Sequence, residues 1–450
     1  MLNKKIIPFI TVALLLASIA SPAIVARASE PGIVVLVDLA HGESAAGLDI
    51  AIKVLPEAEF YVLVSSQDQA NSLSPIVKEL AYKILIGTFD TITNDLKNVN
   101  VIIIPQPTMA FSPAEIQAIV NWFNTTATMQ KAIWLAGDSD YPAQGGSQEI
   151  AMHQIDKIAE AIGSHLREDF VSVDDYASNA GATYRVVGLV QPDPGAEVVG
   201  FAAQKVLFHG PGIVAYVDDQ GNWHNLNTST LPNIYRIVWT TSQGKISENQ
   251  PQQPGAPGDL GKTASAGDTG KYVLLAAEKM ILNIGGTNGT RFVVVSGETP
   301  IGGYQPGIST SYVGVNLDGP RFFRNLILWI SGYMGELNFV QQYIADKQTL
   351  STQLSNSQSA LQAAQQTISQ LQQQLQQSQS ALSSANNQIS QLTNQLNQLK
   401  ASLSQVNSTA NSALQTASGA ASSGLAYGGL ALGLIALIVA IVAIAMKPKK

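Results

Sequence analysis

The 450-residue sequence predicts an α/β fold: a doubly wound sheet with a β-rich insertion, followed by a long coiled-coil helix and a C-terminal transmembrane helix. Three observations predict it. Strand-length apolar runs alternate with helical patterns up to about residue 162, an apolar heptad runs from Leu354 to Val406, and the run 425–446 contains no charged residue. Only 13% of the residues are charged, against about 25% in an ordinary soluble domain. The absence of cysteine excludes disulfides, thiolate-held zinc and every thiol nucleophile. A formal charge of −7 gives no support for nucleic-acid binding.

Residues 1–28 read as a secretory signal. Lys4 and Lys5 precede a short apolar run, and Ala26-Arg27-Ala28 places small residues where a signal peptidase reads. The head, 29–340, follows. Ile33–Asp38, Phe60–Val64, Ile84–Gly87, Val101–Pro105 and Ala132–Gly137 read as buried parallel strands. Helices are expected around Ala46–Val54, Ser72–Leu80, Ser112–Asn124 and Gln148–Ile162. The third carries Ser112, Pro113 and Glu115 as a capping box with proline at its first turn.

From about 165 to 290 the pattern is β-rich, with strands expected at Val186–Val190, Lys205–Phe208, Ile213–Asp218 and Tyr235–Thr240. Asn249 to Gly270 is a Pro/Gly/Gln loop. Strands at Tyr272–Ala276 and Arg291–Ser296, then an apolar helix around Arg321–Tyr333, return the chain to the first sheet.

Val101-Ile-Ile-Ile-Pro105, Phe111-Ser-Pro-Ala-Glu115 and Ala132-Ile-Trp-Leu-Ala-Gly-Asp138-Ser-Asp140, with Phe292-Val-Val-Val-Ser-Gly-Glu298 and Asn325-Leu-Ile-Leu-Trp329, resemble the class I glutamine amidotransferase-like fold. The likeness is to its non-catalytic extracytoplasmic members, and it implies a flavodoxin-like sheet. True amidotransferases carry a cysteine at the turn that here reads Gly137-Asp138-Ser139-Asp140, so glutaminase chemistry is excluded: nothing can form the thioester.

In open α/β folds ligands bind at the carboxyl edge of the sheet. The loops expected there carry Asp38, His41 and Glu43, then Asp138, Ser139 and Asp140, then Glu298, with Asp318 and Arg321 leading into the last helix. Such a cluster can take a divalent cation through oxygen ligands or orient a water with His41 as base. Duller roles stand beside these: Asp38 and Asp138 as turn caps, Asp318 with Arg321 as a local ion pair. Ser139 lacks the surroundings of a hydrolase nucleophile elbow. No cofactor other than such a cation is expected. His209-Gly-Pro-Gly212 reads as a turn shaped by its glycines, His153, His165 and His224 as surface or satisfied residues, and Asp174, Asp175, Tyr184 and Arg185 as a polar segment able to meet a partner.

In the coiled-coil segment, 345–416, one seam runs Leu354, Leu361, Ile368, Leu375, Leu382, Ile389, Leu396, Leu403, and the other from Ser357 to Val406, without a stutter. Lys400 is the one charged residue between Lys347 and Lys447, so self-association through 350–413 would not rest on ion pairs. A Gly/Ser/Ala hinge is expected at 417–424, a membrane span at 425–446 and a short basic cytoplasmic tail at 447–450. Asn124, Asn227, Asn288 and Asn407 begin glycosylation sequons.

Signal, head, stalk, hinge and anchor in this order resemble archaeal surface-layer stalk-and-anchor proteins in architecture. That resemblance implies a single-pass cell-membrane protein whose extracellular, non-enzymatic head binds a surface-layer protein, glycan or peptide. The rival expectations are a ligand-binding component serving a transporter and a surface hydrolase built on Asp38, His41 and Asp138. All 32 acidic residues, but only 18 of the 25 basic ones, lie between 29 and 347. The head therefore carries a formal charge of −14, which favours a basic or cation-bridged partner.

Overall fold

The computed structural model describes residues 32–141, 147–228, 231–248, 261–420 and 433–440. The expected signal, 1–28, and tail, 447–450, lie outside them. The chain divides into two units, Met1–Gln348 and Thr349–Lys450.

The first unit opens with five parallel strands, β1 (Ile33–Asp38), β2 (Ala58–Val64), β3 (Lys83–Ile86), β4 (Val101–Pro105) and β5 (Lys131–Ala136), where the apolar runs place them. Between them lie α1 (Leu48–Val54), α2 (Gln67–Ser72), α3 (Pro75–Leu80), α4 (Thr93–Leu96) and α5 (Pro113–Phe123), and α6 (Ser147–Ala161) follows. The single helix expected over Ser72–Leu80 is two short ones. Ser74 caps α3 through the Val77 amide with Pro75 in its first turn, a start signal that interrupts the preceding helix.

The later strands are β6 (Leu166–Asp169), β7 (Ser172–Asp175), β8 (Arg185–Val190), β9 (Lys205–His209), β10 (Ile213–Val217), β11 (Trp223–Asn225), β12 (Ile234–Trp239), β13 (Gly244–Glu248), β14 (Thr269–Gly270), β15 (Val273–Ile284), β16 (Thr287–Ser296), β17 (Ser311–Tyr312) and β18 (Val315–Asn316). Ten of the strands form one sheet in the order β3-β2-β1-β4-β5-β16-β15-β12-β8-β9. It is parallel from β3 to β16 and antiparallel beyond.

The order 3-2-1-4-5 is not the 2-1-3-4-5 of a flavodoxin-like sheet, so that expectation is corrected. Hydrophobic period identifies a buried strand but carries nothing about which neighbour it takes. The β-rich stretch extends the same sheet and adds two small ones, β11-β10-β6 and β14-β13-β7.

Alternate residues of β1 feed two cores. Ile33, Val35 and Val37 pack with α1 and with α7 (Gly319–Ser331), while Val34 and Leu36 pack in the core that holds α5 and α6. Helices on both faces therefore bury the central strands twice over, as their unbroken apolar character requires.

Helix α8 (Leu337–Ala420) is 84 residues long and spans the expected coiled-coil segment. At 1.5 Å per residue it is about 126 Å in length. Its heptad leucines and isoleucines are exposed, from 55% at Ile368 to 69% at Leu403. The helix continues through 417–420, the first half of the expected hinge, and 421–424 lie outside the described residues.

Among the described residues no helix is long and apolar enough to cross a membrane. The expected transmembrane helix at 425–446, and with it single-pass placement in a cell membrane with an extracellular head, is corrected accordingly. Of that segment only the helical residues 433–440 are described.

Candidate functional site

The sheet order reverses between β1 and β4, and the crevice outside such a reversal is where doubly wound folds bind ligands. Asp38 ends β1 there. Its Oδ1 accepts from the Ala40 amide, and its Oδ2 lies 2.7 Å from His41 Nδ1. His41 Nε2 lies 2.9 Å from Glu115 Oε1, and the other Glu115 oxygen accepts from the Ser112 amide. The His41 carbonyl accepts from the amides of Thr108 and Met109 after β4, which ties the two loops together. The imidazole stacks on Phe111 with ring centres 3.7 Å apart.

A neutral imidazole has one N–H and cannot donate to two carboxylates. Burial lowers the His41 pKa, but hydrogen bonds and charge from Asp38, and then from Glu115, outweigh it and leave it raised. Both ring nitrogens of His41 thus face a carboxylate, Asp38 at Nδ1 and Glu115 at Nε2. Glu43 is buried beside it, and neither carboxylate oxygen has a hydrogen-bond partner. Burial first, and the charge of Asp38 second, hold its carboxyl well above the usual range.

A second acidic group lies beyond β5 and β16. Gln106, after β4, donates to Asp138, whose carbonyl accepts from the Gly212 amide. Glu298 accepts from the backbone amides of His209 and Thr299, each at 2.7 Å. Glu168, on β6, is fully buried with neither oxygen hydrogen-bonded, and its amide donates to Asp156 of α6. A Cβ at Gly137 would overlap the Glu168 carboxyl, so the turn after β5 admits no larger residue while that carboxyl stands there. Burial raises the pKa of Glu168, Asp156 and Glu298 well above the carboxylate range; neighbouring acids, Asp156 and Asp138 foremost for Glu168 and Asp138 for Glu298, add to it.

Asp138 and Glu298 line a cleft of about 420 Å³ together with His209, Arg185, Asp174 and Ser172. Tyr141, Tyr184 and Tyr304 stand at it with much of their rings exposed, Tyr304 at 75%. Burial, with Arg185 nearby, lowers the pKa of His209, so its ring is neutral at neutral pH. Arg185 stacks over Tyr184 and Tyr312, and its Nε is buried without a hydrogen-bond partner.

The residues expected to form one cluster therefore form two, joined through the β4 loop that carries Gln106 and Thr108. Ser139 and Asp140 are buried supports: Ser139 Oγ accepts from the Tyr141 amide, and Asp140 accepts from Ser172 Oγ. Asp318 and Arg321 do not belong to the site. Asp318 accepts from the amides of Gln204 and Lys205, at the far end of β9 from His209, and Arg321 is exposed with no ion pair to it among the described residues.

His165 and His224 are held by carboxylates and His153 packs on Phe170, the satisfied state expected of them. Asn124, Asn288 and Asn407 are exposed and Asn227 is partly buried.

Sequence reasoning missed Glu168, Asp156 and Gln106 as site residues, and took His209 for a turn residue. Of the expected residues, Asp138 and Glu298, with Asp174, Tyr184 and Arg185 of the polar segment, do line the cleft. Glu115 was legible as a helix cap, and its contact with His41 spans 74 positions that no local pattern records.

No family model and no curated protein matches the chain. One solved structure that resembles part of it is a ribokinase-like superfamily protein from Enterococcus faecalis V583, at 16% identity over 32% of this chain and 63% of that one. The TM-score is 0.18, a likeness that carries no inference about fold or activity.

Proposed function

We propose that the protein is a non-enzymatic, self-associating binding protein whose head takes a basic group of a protein or peptide partner into the acidic cleft. The observation that carries this reading is Glu298, buried on the wall of an open, tyrosine-edged cleft, with the fully buried Glu168 within electrostatic reach of it. Among the described residues neither forms an ion pair with a Lys or Arg. A buried acid without a counter-charge is costly, and a cation entering beside it relieves that cost. Tyrosine faces favour ammonium and guanidinium groups, and a head charge of −14 draws them in. Arg185 on the same wall offers donors to a carbonyl or carboxylate of the same partner, which suits a peptide better than a simple amine.

Two features favour binding over catalysis. His41 has both ring nitrogens engaged, and Ser139 is buried with its hydroxyl turned to a backbone amide.

The occupant of the exposed α8 seam, in this reading, is a second copy of 350–413. The heptad period suits helix pairing, and flanks whose one charge is Lys400 impose little like-charge repulsion between copies.

The test is calorimetric titration of the full chain with a Lys/Arg hexapeptide and with its Glu counterpart. The basic peptide is expected to bind, more tightly at pH 8 than at pH 5.5 as the acids release their protons, and about tenfold more weakly to Glu298→Gln. Equal binding of both peptides, or an affinity unmoved by pH and by the substitution, would overturn the reading.

A further inference from the structure

The group at the end of β1 has a donor set that the basic-partner reading does not use. Asp38, His41 and Glu43 each offer one ligand atom, and these atoms all lie within 4.8 Å of one another. An acidic cluster alone would be weak ground. Here one member, Glu43, is 92% buried, offers one oxygen to the cluster and has no hydrogen-bond partner at either carboxylate oxygen (relative exposure 8%).

A second feature is independent of that. His41 Nε2 is held at 2.9 Å by Glu115, a carboxylate on another element, α5, and Phe111 packs flat on the ring. A carboxylate behind the far nitrogen fixes the tautomer that directs the other lone pair at a metal. With Nε2–H given to Glu115, a neutral imidazole presents an Nδ1 lone pair toward Asp38 Oδ2 at 2.7 Å. A cation shared by those two atoms turns a repulsive contact into two ligand bonds.

We propose that Asp38, His41 and Glu43 form a binding site for a first-row divalent metal ion, with Glu115 as the positioning residue behind the histidine. One imidazole nitrogen and two carboxylates suit Zn²⁺ or Mn²⁺, whereas Mg²⁺ and Ca²⁺ prefer all-oxygen sets. Three protein donors leave the remaining positions to water. The site uses no residue of the cleft, so its fate in experiment is separate from that of the binding reading.

The test is equilibrium dialysis of the full chain against Zn²⁺ and against Mn²⁺, with bound metal counted by mass spectrometry, followed by X-ray absorption of the zinc-loaded protein. One metal ion per chain and a single imidazole in its coordination shell are expected. Glu43→Gln, which keeps the shape of the side chain, is expected to weaken binding at least tenfold, and His41→Asn to remove the imidazole signal. Circular dichroism of both variants checks that the fold persists. No uptake by the wild type, uptake unchanged in folded Glu43→Gln, or a shell without imidazole would each overturn the proposal.

Discussion

Glu168 carries a carboxyl group into the interior with neither oxygen hydrogen-bonded, and this gives the head a pH dependence. Burial holds Glu168, Asp156 and Glu298 above the ordinary carboxylate range, so the folded chain keeps protons that the unfolded chain releases. Stability from a raised group is fully present below its unfolded pKa and is lost as pH rises through its folded one. The raised His41 acts in the same direction. The thermal midpoint of the first unfolding transition should therefore fall between pH 5 and pH 8. Glu168→Gln should flatten that slope and raise stability at pH 8 by about 1–2 kcal/mol, since an uncharged isostere removes the buried charge. Melting curves across this range check it, and a midpoint that rises with pH would contradict it. Asp38, His41, Glu43, Asp138 and Glu298 were legible because each follows an apolar strand. Glu168 and Asp156 were not, since they enter from β6, packed near β16, and from α6, packed against β5, placements that are tertiary facts.

At the scale of elements, α5 shows how one residue serves two levels. The Ser112 hydroxyl accepts from the Glu115 amide and the Glu115 carboxylate accepts from the Ser112 amide, so the capping box expected from sequence is present. The same carboxylate holds His41. Ser112→Ala should cost about 1 kcal/mol, the usual loss of an N-cap. Glu115→Ala should cost about 3 kcal/mol or more, because it also strips the partner from a buried histidine nitrogen. Urea unfolding of both variants checks this; equal losses would mean that the contact with His41 contributes nothing.

Other elements were legible to the degree that their signals are local. Strands β1 to β5 fall within a residue or two of the apolar runs; β1, β4 and β5 are buried along their whole length, as unbroken apolar stretches require, whereas β3, expected to be buried, lies at the sheet's edge and exposes Lys83 and Ile86. The long β15–β16 hairpin was seen only at its buried ends. Its outer half alternates partly exposed with exposed residues around Gly285-Gly286, a two-residue turn with both glycines at positive φ. Strand order was the least legible feature, because neighbours in the sheet are chosen by which face each crossover covers.

Over the whole molecule the charge is divided sharply, with every acidic residue in 29–347 and an almost uncharged helix after it. The apolar run at 425–446 suggested a membrane helix by composition, but the described residues contain no helix that meets the length and hydropathy of a span. What sequence and structure agree on is a large α/β sheet followed by one long helix with an unpartnered heptad seam. Joined through that seam, several copies would meet a basic partner together, and linked sites commonly gain about 10²-fold or more in avidity.

Dissociation of the full chain from a surface densely coated with the Lys/Arg hexapeptide tests this most directly. The wild type is compared with the Leu375→Ser/Leu382→Ser seam variant. If the chain is a self-associating binder of basic groups, the wild type leaves about 10²-fold more slowly than the variant, and the two converge on a sparse surface. Equal dissociation of the two on the dense surface, or no binding by either, would contradict it.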